Sequence, residues 1–305
     1  MNIDIRDDIR QALAKGQAVV ALESTIISHG MPYPNNVEMA KHVEDLIQSE
    51  GAIPATIAIL GGVIKVGLTD DELMLLANAK DVLKVSKRDF GYVLSKGLNG
   101  ATTVSATMLI AQMAGIKVFA TGGIGGVHRA AQETFDISRD LEELANVNVC
   151  VVCAGAKSIL DLGLTMEYLE TKGVEVIGYQ TDELPAFYTR TSGHQVTYRL
   201  DTPKEIAALL KAKWNLGIQG GIVVANPIPK AYSQDPKVIN IAIDLAINEA
   251  NQRGIKGKET TPFLLDYIKR QTDGKSLKAN LELVYNNARL AAQIAKQFHD
   301  EKKLD

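Results

Sequence analysis

The stretch Val147-Asn148-Val149-Cys150-Val151-Val152-Cys153-Ala154-Gly155-Ala156-Lys157-Ser158-Ile159-Leu160-Asp161-Leu162 decides how this chain folds. Its first half is an apolar run that reads as a buried strand. Its second half is a turn, Gly155 to Ser158, leading into a helix. Lys157 therefore lies at the carboxyl edge of a sheet, half removed from water. Desolvation disfavours an ammonium, so the expected pKa falls and a free amine becomes available near neutral pH. Such an amine can form a Schiff base with a carbonyl substrate. Taken alone, Lys157 favours plainer readings, a surface lysine opening a helix or a phosphate contact. Its neighbours change the balance.

The pattern repeats outward. Strand-like runs fall at Ala18–Leu22, Thr56–Leu60, Ile116–Ala120, Val147–Cys153, Val174–Gly178 and Gly221–Ala225. Helical patterns fall at Asn36–Ser49, Asp70–Ala79, Thr103–Ala114, Leu160–Thr171, Pro203–Leu216, Pro236–Gln252, Thr261–Thr272 and Ser276–His299. This alternation predicts an α/β fold with a mostly parallel sheet covered by helices on both faces. Gln195 to Leu200 alternates like an antiparallel edge strand, so a mixed sheet is expected. Asn35-Asn36 is the expected cap of the first long helix and Ser276 of the last. With no repeat or polar linker, residues 1–305 are expected to form one domain with a helical C-terminal part.

Composition limits the function classes. Lys plus Arg (33) nearly balance Asp plus Glu (36), for a formal charge of -3. That argues against a basic nucleic-acid groove. The charged N-terminus has no apolar signal core, and no apolar run approaches the roughly 20 residues that span a bilayer. A cytoplasmic chain is expected. Cys150 and Cys153 have C-x-x-C spacing but share one apolar strand, without further ligands nearby. Two buried, inert thiols are the expected reading.

Ligands of open α/β sheets collect beyond the carboxyl ends of strands. After Ala18–Leu22 comes Glu23, a strand-end carboxyl that reads evenly as an acid/base or as a hydrogen-bond partner. After Ile116–Ala120 comes Thr121-Gly122-Gly123-Ile124-Gly125-Gly126-Val127-His128-Arg129. Its glycines let backbone approach a ligand, and Thr121, His128 and Arg129 add donors, which favours an anion over a bare hinge. The dinucleotide pattern fails because His128 stands where its third glycine belongs, and the P-loop pattern fails at Val151 and Ala156. Asp136 and Asp140 near this loop suggest a hard divalent ion, Mg²⁺ or Mn²⁺, held mostly by water. Capping by Asp136 or Ser138 explains them equally well, and spacing leaves open which acid touches the metal. Lys84 ends a short apolar run and is expected to point inward, whereas Lys87 and Arg88 are expected to be solvated. Asn280, Asn286 and Asn287 are poor helix formers inside the last helix, so local hydrogen bonds or a ligand must explain them.

Nine segments together carry a resemblance: ALESTIISHGMPYP, KVSKRDF, NGATTVSATM, FATGGIGGVHR, TFDISRDL, VVCAGAKSILDLG, GYQTDELPAFYTRTS, VVANPIP and SLKANLELVYNNARLAAQIA. In this order they closely resemble the pseudouridine-5'-phosphate glycosidases, the indigoidine-synthase-A-like family, over about residues 18–298. The resemblance implies reversible cleavage of the C–C bond of pseudouridine 5'-phosphate to uracil and ribose 5-phosphate. It implies Lys157 as the nucleophile forming an imine with the opened ribose, and Glu23 as the acid/base. It implies substrate contacts at Lys84, Val104, Ser138, Arg139 and Asp140, and Mn²⁺ at Asp136. Arg139 varies the middle of the D-I-S-x-D-L motif, which matters little if its backbone makes the contact. Thr121, His128 and Asn280 join as substrate-binding candidates. A three-layer α/β/α fold and a homo-oligomer, expected to be a trimer, are also implied. An aldolase or isomerase using the same lysine, and a non-catalytic sugar-phosphate sensor, are the competing readings.

Overall fold

The computed structural model describes residues 3–300. Its strands are β1 (Ile3–Ile5), β2 (Val19–Leu22), β3 (Ile53–Leu60), β4 (Val63–Val66), β5 (Leu83–Val85), β6 (Gly100–Thr102), β7 (Val118–Ala120), β8 (Val127–His128), β9 (Cys150–Cys153), β10 (Leu160–Asp161), β11 (Glu175–Tyr179), β12 (Tyr198–Leu200) and β13 (Ile222–Ala225). The helices are α1 (Asp7–Ala14), α2 (Asn35–Ser49), α3 (Asp70–Asn78), α4 (Phe90–Ser95), α5 (Val104–Ala114), α6 (Ala131–Thr134), α7 (Arg139–Asn146), α8 (Leu162–Thr171), α9 (Pro203–Asn215), α10 (Pro236–Gln252), α11 (Thr260–Gln271) and α12 (Lys275–His299).

Eleven strands form one sheet. Its main path runs β1-β4-β3-β2-β7-β9-β13-β11-β12, with β6 also on β3 and β5 on β6. The central strands β3, β2, β7, β9, β13 and β11 are mutually parallel. The four residues of β9 and the four of β13 are all buried, as strands covered on both faces must be. Each buried Val or Ile side chain contributes about 1.5–3 kcal/mol relative to exposure. Helices α2, α9 and α12 pack together on one side, α5, α7 and α8 on the other. Along α12, Leu283, Asn287, Leu290, Ala291 and Ile294 are buried, the i, i+4, i+7 stripe of a helix lying on a sheet.

The fold is the mixed, mostly parallel α/β arrangement expected, but the antiparallel pairs are elsewhere. Gln195 to Leu200 was read as an antiparallel edge. Its β12 is an edge strand, yet it runs parallel to β11, with Ile177 opposite Tyr198. Residues 180–197 supply the long crossover that parallel pairing requires. Within the main sheet the antiparallel pairs are β3 with β4 and β3 with β6, and β8 pairs antiparallel with β10 in a separate two-stranded sheet. The β3–β4 hairpin turns on Gly61 (φ 56°) and Gly62 (φ 77°), the positive-φ pair of a tight two-residue turn.

Two expected caps are also corrected. Helix α2 begins at Asn35 with Pro34 before it and has no side-chain cap. Asn36 instead spends its amide on the carbonyls of Ile27 and Ala77, at 2.9 and 3.1 Å. Helix α12 is preceded by Gly274 in the left-handed region (φ 77°). Ser276 sits inside its first turn and donates its N–H to Thr272.

Candidate active site

Three adjacent parallel strands bring the site together. Leu22, Ala120 and Val152 are neighbours in register across β2, β7 and β9, so the residues just beyond them emerge side by side. Those residues are Glu23, the Thr121 loop and the turn carrying Lys157. Thr121 donates its hydroxyl to Glu23 Oε1 at 2.5 Å and its N–H to Val152 O at 3.0 Å. Asn287, fully buried on α12, donates to the carbonyls of Thr121 (2.9 Å) and Gly122 (3.4 Å). It accepts from Asn226 at the end of β13, at 3.0 Å. The helix is thereby clasped to the glycine loop. Replacing Asn287 with Leu removes these bonds from Thr121 O and Asn226, while Gly122 O keeps its bond from Ala154 N–H, and should cost about 1–3 kcal/mol of stability as read by urea denaturation.

Lys157 is half-buried at the carboxyl edge of the sheet. Its N–H bonds Ile124 O at 3.1 Å, and its carbonyl accepts from Leu160. The turn before it needs Gly155, whose φ is 81°; a Cβ there would lie 2.2 Å from Pro185 O. Glycine therefore sets the direction in which Lys157 leaves the strand.

Glu23, Lys157, Lys84, Asp140 and His128 share one electrostatic field. The Glu23 carboxyl is enclosed by protein, although the residue keeps a half-open face, and burial pushes its pKa above the usual carboxylate range. The charge on Lys157 and the Thr121 hydrogen bond oppose that rise. Burial and then Lys157 push Lys84 below the usual lysine range. Burial also pushes His128 down, opposed by Asp136. Lys84, on β5, is half-buried, with its Nζ 3.3 Å from Lys258 O. Thr102 on β6 donates its N–H to Ser24 Oγ at 2.8 Å, which ties the β5–β6 pair to the residue after Glu23. The two cysteines are buried and unpaired, with the Cys153 thiol pushed up to about 12 by burial.

Helix α7 supplies the opposite wall. Ser138 is its N-cap, accepting from Asp140 N at 3.3 Å. Buried Asp140 accepts from Ser105 N (2.9 Å) and Gly125 N (2.8 Å), linking α7, the start of α5 and the glycine loop. Val104, buried, is the first residue of α5. Asp136 lies outside the helix, so it does not share a helical face with Asp140. Its side chain is 42% exposed and 3.9 Å from His128 Nδ1. Asn280 Oδ1 is buried beside Gly122 and makes no hydrogen bond within the protein. Asn286 bonds Pro227 O and Asn287 forms the clasp.

Close packing accounts for several glycines of the loop. A Cβ at Gly123 would strike Phe187, at Gly125 Ser138 and Asp140, and at Gly126 Thr165. The N–H groups of Ile124, Gly125 and Val127 are bonded within the chain. These glycines admit protein side chains. Another departure is Glu143, fully buried, which holds Arg139 at 2.8 Å and Lys87 at 3.2 Å. Lys87 is therefore tethered and not merely solvated.

The site's architecture matches a known one. A family model described as indigoidine synthase A like protein matches residues 8–297. The chain belongs to the indigoidine synthase A-like family. Among relatives in this family, a pseudouridine-5'-phosphate glycosidase of Petrotoga mobilis is 63% identical over 297 residues, covering 97% of each chain. One of Escherichia coli is 59% identical over 97% of this chain and 95% of that one. The crystal structure of a prealnumycin C-glycosynthase in complex with ribulose 5-phosphate superposes with TM-score 0.90 at 40% identity, covering 97% of both chains. An indigoidine synthase A-like protein of Thermotoga maritima gives TM-score 0.88 at 34% identity, covering 97% of this chain and 96% of that one.

Proposed function

We propose that this chain reversibly cleaves the C–C glycosidic bond of pseudouridine 5'-phosphate, giving uracil and ribose 5-phosphate. The observation that carries the reading is that Glu23, after β2, and Lys157, after β9, lie beyond strand ends that flank β7, within one electrostatic field. The full-length likeness to pseudouridine-5'-phosphate glycosidases, and to a C-glycosynthase holding a ketopentose phosphate, supports it.

A C–C glycosidic bond has no electronegative leaving atom, so the two-carboxylate route through a protonated glycosidic oxygen does not serve. A lysine does. The Lys157 amine attacks C1', the C1'–O4' bond breaks to open the ribose, and the amine's proton passes to O4'; the nitrogen lone pair then forms C=N as the C1'–C5 bond breaks. The bond's electron pair goes to uracil C5, which takes a proton from Glu23. Water then hydrolyses the imine, releasing ribose 5-phosphate and the amine. Lys84, Val104, Thr121, His128, Ser138, Arg139, Asp140 and Asn280 are proposed to bind substrate.

Mn²⁺ is the proposed metal. Among the described residues no group of three or more His, Cys, Asp or Glu side chains could enclose an ion. The half-exposed Asp136 carboxylate suits instead a hard cation that keeps most of its water. Both Asp140 oxygens are occupied by N–H groups, which favours Asp136 as the ligand. When bound, the ion would supply positive charge toward the substrate's phosphate. Asp136→Asn should weaken Mn²⁺ binding on the order of 10–100-fold, measured by titration followed by electron paramagnetic resonance.

Self-association is proposed from apolar surface, and its trimeric form from the family resemblance. Val238, Ile241 and Leu245 form an exposed stripe on α10, 55%, 62% and 46% exposed. Sedimentation at three times 33.0 kDa is expected. No helix among the described residues is long and apolar enough to cross a membrane. The deciding experiment is uracil release from pseudouridine 5'-phosphate, after chelation, with and without added Mn²⁺. An aldolase, isomerase or sensor would release none.

A further inference from the structure

Glu23 faces a small cavity on the side of β2 and β3. Leu22, Ile26, Ile27, Met39, Val43 and Val284 provide its apolar wall, and Glu23, Thr121 and Thr56 its polar groups. Water has about 30 Å³ of room there, against the roughly 10–15 Å³ that one molecule needs. Thr56 is the register partner of Leu22, the residue before Glu23. The Thr56 hydroxyl, buried at 2% exposure, donates to Glu44 Oε1 on α2 at 2.5 Å. Glu44 itself is half-buried, with one side toward solvent.

We propose that Glu44 and Thr56 relay protons between solvent and Glu23 through a water in this cavity. The inference rests on the C-glycosidase reading. In cleavage, Glu23 gives its proton to uracil C5 and becomes a carboxylate. It then takes a proton from the cavity water, the water takes the Thr56 hydroxyl proton, and Thr56 takes the proton of the Glu44 carboxyl. Glu44 is left as the carboxylate accepting from Thr56, the hydrogen bond seen, and solvent reprotonates it. Burial holds Glu44 above the usual carboxylate range, which suits a group that must carry a proton. Neither residue touches the reacting atoms; both act through Glu23.

Deuterium uptake tests the relay. In D₂O, enzyme with Mn²⁺, uracil and ribose 5-phosphate forms the C–C bond and moves the uracil C5 proton to Glu23. If Glu23 exchanges before the bond reopens, uracil returns deuterated. Interconversion is counted separately with ¹⁴C-uracil, so failure of the C-glycosidase reading shows as no ¹⁴C exchange in the unsubstituted enzyme. In Thr56→Val and Glu44→Gln, deuterium entry per ¹⁴C exchange should fall by at least about tenfold. Thr56→Ser, which keeps the hydroxyl, should restore it. An unchanged ratio in either folded loss-of-relay variant, checked by circular dichroism, overturns the proposal.

Discussion

Lys157→Ala should lower uracil release from pseudouridine 5'-phosphate on the order of 10⁴–10⁶-fold, the loss typical when a covalent nucleophile is removed. The fold should survive. The Lys157 backbone makes its own bonds to Ile124 and Leu160, and the side chain is half-buried at a cleft, outside the apolar core. Its charge also acts on its neighbours, opposing the rise in Glu23 and deepening the fall in Lys84 and His128. Removing it should therefore raise the Glu23 carboxyl further and relax both bases toward their ordinary values. Borohydride added with substrate should trap an adduct one pentose phosphate heavier on the unsubstituted enzyme and none on Lys157→Ala. Turnover by the unsubstituted enzyme with no trapped mass would sink the imine. Lys157→Arg should be as inactive as Lys157→Ala, because a guanidinium stays protonated and cannot attack.

What the sequence revealed and what it concealed follow one rule. Glu23, Thr121 and Lys157 were readable because each stands directly after a buried strand, and strand ends in such sheets converge. Contacts between distant side chains were not readable. Nothing local to Asn287 indicates that it reaches Asn226 and Thr121, and nothing local to Glu143 indicates that it holds Lys87. Interior asparagines gave a signal without a partner. The same limit applies to the glycine loop, whose composition suits a ligand or a close side chain equally; Phe187, Ser138 and Thr165 decide it at Gly123, Gly125 and Gly126. The short strands β1, β4, β5, β6, β8 and β10 escaped because none lies in an uninterrupted strand-like run of five or more residues, as the recognised strands do. The direction of β12 escaped because alternation reports which faces are buried and carries no information about the neighbour's polarity.

Glu23→Gln separates the acid from the nucleophile. Gln keeps an oxygen to accept from Thr121 but has no carboxyl proton to give, so cleavage should fall by about 10²–10⁴-fold. The pH dependence fixes the role. Burial raises the Glu23 pKa, so its acid form persists at pH values where a free glutamate is ionised. Cleavage needs that acid form and should decline as pH rises through the raised pKa. Synthesis from uracil and ribose 5-phosphate needs the carboxylate and should decline as pH falls through the same value. Both limbs should vanish in Glu23→Gln. Stability carries the matching sign. A carboxyl whose folded pKa is raised leaves the fold unpenalised below the ordinary glutamate range. Its cost grows as pH climbs toward the raised value and is full above it. Glu23→Gln should therefore melt higher than the unsubstituted enzyme at pH 8, with the advantage shrinking toward pH 4. An equal melting difference at both pH values would mean that the carboxyl is ionised without penalty, and a group so placed could not serve as the acid.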